Sequence, residues 1–217
     1  MLLSDIMDAN SRKALNARMK RILERLEKNN FRAAFVNDKA EALSLVKAIV
    51  REGAYTASGG SMTLKETGIM DYLTASTDYH REYRDAYNAE FYLSSANAIT
   101  EHGEIYQVDG TSNRISALSY GPEHVIIVAG INKIVPDLRS AVARVKISAA
   151  PPNAIRLCRE TPCVHSGECV AAVSDERHFG ALGCESEERI CCNTLIMGHQ
   201  RDKGRVTVII IGEEYGY

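Results

Sequence analysis

Six cysteines, Cys158, Cys163, Cys169, Cys184, Cys191 and Cys192, fall in the last third of a 217-residue chain. Tetrahedral zinc or an iron–sulfur cluster takes four soft, anionic ligands, and clustered thiols in a reducing compartment read as metal ligands or redox groups. Cys163, Cys169, Cys184 and Cys191 supply one set of four, with Cys192 or Cys158 as substitutes and His165 and His178 as nitrogen donors. The gaps of five, fourteen and six residues between those four are not the C-x2-C spacing of a zinc ribbon or ferredoxin. Reversible disulfides or plain packing would hold the same loop without a metal. Side chains alternate along a strand, so one of the adjacent Cys191 and Cys192 is expected in the core.

Two other stretches can carry chemistry. Ser58-Gly59-Gly60-Ser61 lies between an expected strand and a helix start, where glycine permits close approach and amides attract phosphate or carboxylate. Its spacing fits neither a P-loop nor a dinucleotide fingerprint, and a tight structural turn accounts for it equally well. The segments Ser94 to Gly103 and Asp109 to Arg114 are dense in small hydrogen-bonding residues. If they meet at strand carboxyl ends, Asn97, Asn113 and Arg114 would surround a small anionic ligand, with Arg114 gripping a carboxylate and Glu101 serving as base or nucleophile. Hairpin-turn chemistry at Glu101-His102-Gly103 and helix capping over Asp109 to Asn113 are the plainer explanation.

The elements that must position these residues alternate strand and helix. Leu15, Met19, Ile22, Leu23 and Leu26 recur at helical spacing over about residues 10 to 29. Ala33 to Val36 reads as a strand, and Asn37-Asp38 can cap a helix burying Leu43, Val46, Ile49 and Val50. Tyr55 to Ala57 reads as a strand, followed by one helix through Leu64 and Ile69, with Thr63 and Glu66 spaced as a capping box. Residues 78 to 90 suggest a solvated helix with Tyr79, Tyr83 and Tyr87 four apart. Phe91 to Ser94, Asn97 to Thr100 and Glu104 to Val108 read as short strands, the last two a hairpin. Arg114 to Leu118 is a short helix, and Val125 to Ala129 a strand buried on both faces. Pro136-Asp137 opens a helix through Val142 and Val145 that Pro151-Pro152 should stop, and Val206 to Ile211 is a further buried strand. The expectation is one α/β domain over residues 1–217. It has a mostly parallel, Rossmann-like sheet with helices on both faces, an N-terminal helix, and residues 158–193 as a Cys-rich insertion.

Composition narrows the function classes. The chain is 45% hydrophobic, has 26 basic and 28 acidic residues, and carries a formal charge of -2. Without excess positive charge, nucleic acid and anionic membranes are not expected partners. No apolar run approaches the ~20 residues that span a bilayer, and Asp5 and Asp8 interrupt any signal-peptide core. A cytoplasmic protein is expected.

Several segments together resemble one family. Ser58 to Ile69 (SGGSMTLKETGI), Ser95 to Thr100 (SANAIT), Asp109 to Arg114 (DGTSNR) and Gly130 to Asp137 (GINKIVPD) follow in order. With Thr161-Pro-Cys163, Arg189-Ile-Cys191 and Gly212 to Tyr217, they are similar to the LUD domain of lactate-utilization proteins over nearly the whole chain. The resemblance implies a fold like that of sugar-phosphate isomerases and coenzyme A transferases. It also implies a role in oxidation of L-lactate, a 2-hydroxy acid, to pyruvate, where some members belong to iron–sulfur-containing complexes. The choice between Cys191 and Cys192 as ligand stays open. A cluster would pass electrons to redox partner proteins, and a homo-oligomer is the expected assembly. Two other readings stand beside this one. The first is an acyl or sugar-phosphate enzyme using Glu101, with a phosphorylated ligand. The second is a non-enzymatic small-molecule-binding protein whose cysteines hold structural zinc.

Overall fold

The computed structural model describes residues 8–81, 84–171 and 183–217. Its larger sheet has six parallel strands in the spatial order β1 (Arg32–Val36), β10 (Val206–Ile211), β7 (His124–Gly130), β4 (Phe91–Ser94), β2 (Tyr55–Ser58) and β3 (Asp78–His80). The continuous apolar run in β7 follows from burial on both faces. Val125, Ile127 and Ala129 enter one core, and Ile126 and Val128 the other, because successive side chains point opposite ways.

Each core is closed by helices. α1 (Ala9–Lys28) brings Met19, Ile22 and Leu26 to the first face, and α5 (Asn113–Ser119) adds Ala117 and Leu118. α2 (Lys39–Ile49), α3 (Met62–Glu66) and α4 (Ile69–Ser76) cover the second with Ala42, Val46, Leu64, Ile69 and Leu73. Asp38 caps α2 by accepting from the amides of Ala40 and Glu41 at 2.8 and 2.9 Å, so two of the orphan donors at that helix start are satisfied. The α/β fold with helices on both faces is as the sequence predicts.

A second, mixed sheet was not foreseen. It has the order β8 (Ile134–Val135), β5 (Ala98–Thr100), β6 (Ile105–Asp109), β9 (Asn193–Met197). One face shares the first core through Ile99, Ile105, Ile134 and Met197, and the other packs Ala98, Tyr106 and Val135 against α6 (Leu138–Arg144). The chain crosses from the larger sheet to the smaller twice, side by side, at β4 to β5 and at β7 to β8. The hairpin between β5 and β6 forms as expected. Gly103 at its turn has φ +82°, and a Cβ there would meet the backbone of Arg25 at 2.8 Å.

Four local expectations change. The single helix through Leu64 and Ile69 is two, broken at Gly68 with φ +73°, and its cap is Ser61 rather than Thr63. Residues 78 to 90 hold strand β3 and a short 3-10 turn over Asp85–Asn88; Tyr83 lies outside the described residues. Pro151-Pro152 do not stop the helix. The backbone passes through a π-helical turn, Val145–Ala149, where the Ala150 amide donates to the Val145 carbonyl, and resumes as α7 (Ala150–Arg156). The prolines then occupy the first turn of α7, where a missing amide hydrogen costs little. Residues 158–193 contain a short helix, α8 (Pro162–Ser166), and lead into β9, whose half-exposed residues give it only weak alternation.

Candidate functional site

Four neighbouring strands of the larger sheet, β10, β7, β4 and β2, each deliver one group to a single point beyond their carboxyl ends. Lys133 follows β7 in a 3-10 turn, Ser95 follows β4, Thr63 stands in the first turn of α3 after β2, and Tyr215 follows β10. The Lys133 Nζ donates to Thr63 Oγ1 and to Ser95 Oγ, both at 2.9 Å. Ser95 Oγ donates to Thr63 Oγ1 at 3.2 Å, and Thr63 Oγ1 to the Tyr215 carbonyl at 3.2 Å. A carbonyl has no proton to return, so the hydroxyl hydrogens run in one direction and both oxygens turn lone pairs to the amine.

Lys133 is 3% exposed and forms no ion pair among the described residues. Burial, then the nearby cations Arg144 and Arg114, push its pKa down to about 7 against a weaker pull from Glu66. Glu66 instead accepts from the Gly216 amide at 2.8 Å. The lysine lines a cavity of about 440 Å³ with Ser95, Asn97, Arg114, Asn153 and Arg156. That size suits a small organic ligand. Arg156 and Arg159, both exposed, lie at the rim, and Asp109 is the one acidic side chain among the lining residues. The chamber therefore has a net basic wall.

The residues picked out by sequence divide. Gly60, Ser61, Asn97, Asn113 and Arg114 do line the cavity. Ser58 and Gly59 stand behind it: Ser58 Oγ hydrogen-bonds the Tyr79 hydroxyl at 2.9 Å, and Gly59 lies where a Cβ would come within 2.7 Å of Arg114 Cδ. Arg114 is committed to the protein. Its guanidinium donates to Gln107 Oε1, to Asn97 Oδ1 at 3.1 Å and to the Val108 carbonyl at 2.6 Å. It therefore shapes the wall and lends its charge with three of its five N–H donors committed, while Nε lies 4.0 Å from Asp109 Oδ2. Asn97 Oδ1 also accepts from the Val108 amide at 2.8 Å, and its Nδ2 has no hydrogen-bond partner among the described residues. Asp109 accepts from the amides of Arg114 and Ile115, the capping role that composition suggested.

Glu101 is elsewhere. It sits on the β5–β6 hairpin, paired with Arg18 of α1 at 2.7 Å, away from the cavity lining.

All six cysteines are free thiols; Cys163, Cys169, Cys184 and Cys191 are half-buried. Among the described residues, no three His, Cys, Asp or Glu side chains converge to hold a metal ion. Arg189 ties part of the segment together, donating to the carbonyls of Cys184 and Cys191 at 3.4 and 3.1 Å. Lys146 Nζ approaches Cys191 Sγ at 3.8 Å, and Thr161 Oγ1 lies 3.2 Å from Cys163 Sγ. His178 lies outside the described residues. The four-cysteine donor set for zinc or a cluster is thus not gathered among the described residues.

Sequence reasoning passed over Lys133, although a signal was present: a lysine between Ile131 and Ile134, directly after a doubly buried strand. Thr63 was assigned to a cap that Ser61 makes, its Oγ accepting from the Leu64 amide at 3.2 Å.

No curated protein matches the chain. A crystal structure of a DUF162 family protein from Deinococcus radiodurans shares the fold, with TM-score 0.53 at 16% identity over 91% of this chain and 98% of that one. The crystal structure of eIF2B beta from Chaetomium thermophilum matches 46% of this chain and 43% of its own, at 15% identity and TM-score 0.35. The sequence profile of the LUD domain matches residues 19–211, which includes every strand of both sheets, and the chain belongs to the LUD domain family.

Proposed function

We propose that this chain serves lactate utilization, the process with which its family is associated, by holding a small carboxylate, L-lactate or pyruvate, in the cavity beside Lys133. One observation carries the reading. A buried lysine amine held only by two hydroxyls, with no carboxylate paired to it among the described residues, takes on charge at a cost that a bound carboxylate would offset. Net basic walls draw an anion in, and Asn97 Nδ2 offers a donor for its second oxygen or its 2-hydroxyl. Electrons from a bound lactate would leave through a separate redox partner protein.

The test is calorimetric titration of the full chain with L-lactate, pyruvate and inorganic phosphate, repeated on Lys133→Met. Carboxylate binding that weakens at least about tenfold in the variant supports the reading, since loss of one charged hydrogen bond is worth about 1.5–3 kcal/mol. Binding of phosphate alone would move the site to phosphorylated ligands. Unchanged carboxylate affinity in Lys133→Met would overturn it. Among the described residues no helix is long and apolar enough to cross a membrane.

A further inference from the structure

From the hydrogen-bond geometry around Lys133 we infer a second activity of the same site: its amine condenses reversibly with the ketone of a 2-oxo acid to form an imine. This rests on the carboxylate-binding reading above and deepens it. The observation is directional. Thr63 and Ser95 each commit their single hydroxyl hydrogen along the chain that ends at the Tyr215 carbonyl. Both oxygens can then only accept from Lys133. A neutral amine gives its two hydrogens to these two oxygens, and among the described residues no donor meets its lone pair. An amine held in this way on a cavity wall is available as a nucleophile to a ligand in the cavity.

The low-dielectric surroundings favour the neutral form near physiological pH, where exposed lysines stay charged. In the reaction the nitrogen lone pair attacks the C2 carbonyl carbon and one proton moves from nitrogen to the carbonyl oxygen. The resulting carbinolamine then loses its hydroxyl together with the remaining N–H proton as water, leaving a C=N bond. Hydrolysis reverses each step, so no oxidant or reductant is consumed. L-Lactate has no ketone and can only bind. The site would therefore tell the oxidised acid from the reduced one by a covalent bond.

The experiment treats the full chain with pyruvate and sodium cyanoborohydride near pH 7.5 and maps 1-carboxyethyl adducts by peptide mass spectrometry. Lys133 should label at least about tenfold faster than the exposed lysines, and added L-lactate should slow it by competition. Labelling spread evenly over lysines, or none at Lys133, overturns the inference. Calorimetry with L-lactate separates the two ideas. Lactate binding without Lys133 labelling sinks the imine and leaves the carboxylate site standing. Absence of both binding and labelling sinks both. Because the labelling is read on the unmodified chain, a variant that fails to fold cannot obscure the result. Lys133→Arg, which keeps the charge, should lose the adduct; a persistent adduct on the peptide spanning position 133 would assign it to another group and overturn the inference.

Discussion

Replacing Lys133 with Met removes a buried amine and leaves a side chain of similar length. In the unfolded chain the lysine holds its proton up to its ordinary value of 10.5, whereas the folded protein releases it at about 7. Between those values the unfolded state binds more protons, so the folded wild type gains stability as pH rises. Burial, with Arg144 and Arg114 acting against Glu66, sets the gap. The full gap is worth about 5 kcal/mol at 1.36 kcal/mol per pKa unit, and about 2 kcal/mol of it is recovered between pH 7 and 9. Urea unfolding of both proteins at pH 7, 8 and 9, followed by circular dichroism, gives the difference directly, and other titrating groups cancel in the subtraction. Lys133→Met should be the more stable protein at pH 7, with its advantage shrinking by about 2 kcal/mol by pH 9. Two curves that run parallel across that range would refute the argument, because they would mean the lysine is charged or neutral alike in both states.

Three further outcomes are expected. L-Lactate binding should weaken from pH 7 to pH 8.5, with net proton uptake in calorimetry across buffers of different ionisation enthalpy, because an anion favours the charged lysine; pH-independent binding would contradict this. Gly59→Ala places a Cβ within 2.7 Å of Arg114 Cδ and 3.0 Å of the Tyr92 hydroxyl, and should cost about 1–3 kcal/mol by urea unfolding; a silent substitution would show that Arg114 is not held there. Glu101→Gln breaks a half-exposed pair with Arg18, so it should cost no more than about 1 kcal/mol and leave carboxylate affinity unchanged. Loss of binding in that variant would bring Glu101 back into the site.

Periodicity and capping made the larger sheet readable. The unbroken apolar run of β7 could only be buried on both faces, and Asp38 could only begin a helix, because both signals are local. The failures come from tertiary context. Proline inside α7 is allowed by a π-helical turn before it, which no residue announces. Strand β9 exists because β6 offers it an edge, from Ile105 opposite Met197 to Asp109 opposite Asn193. The candidate site was half legible. Small polar loops marked the cavity wall at Gly60, Ser61, Asn97, Asn113 and Arg114, since turns at strand ends need such residues. Lys133 and Ser95 become partners only because β4 and β7 are neighbours in space, 38 residues apart in sequence. Residue type alone offers Glu101 as base or nucleophile beside plainer hairpin-turn chemistry, and the fold keeps it on the hairpin, paired with Arg18.

The π-helical turn at Val145–Ala149 fixes the phase of everything that follows it. It carries one residue more than an α-helical path would need, and Asn153 and Arg156 meet the cavity on the angular setting that surplus creates. Deleting a single codon within it would restore regular winding, turning α7 by about 100° and drawing it back about 1.5 Å. The basic rim would then swing off the mouth while the lysine and its hydroxyls, carried by the sheet, stayed put. Under the proposed function, ligand admission and ligand chemistry would thus be encoded in separable stretches of the gene.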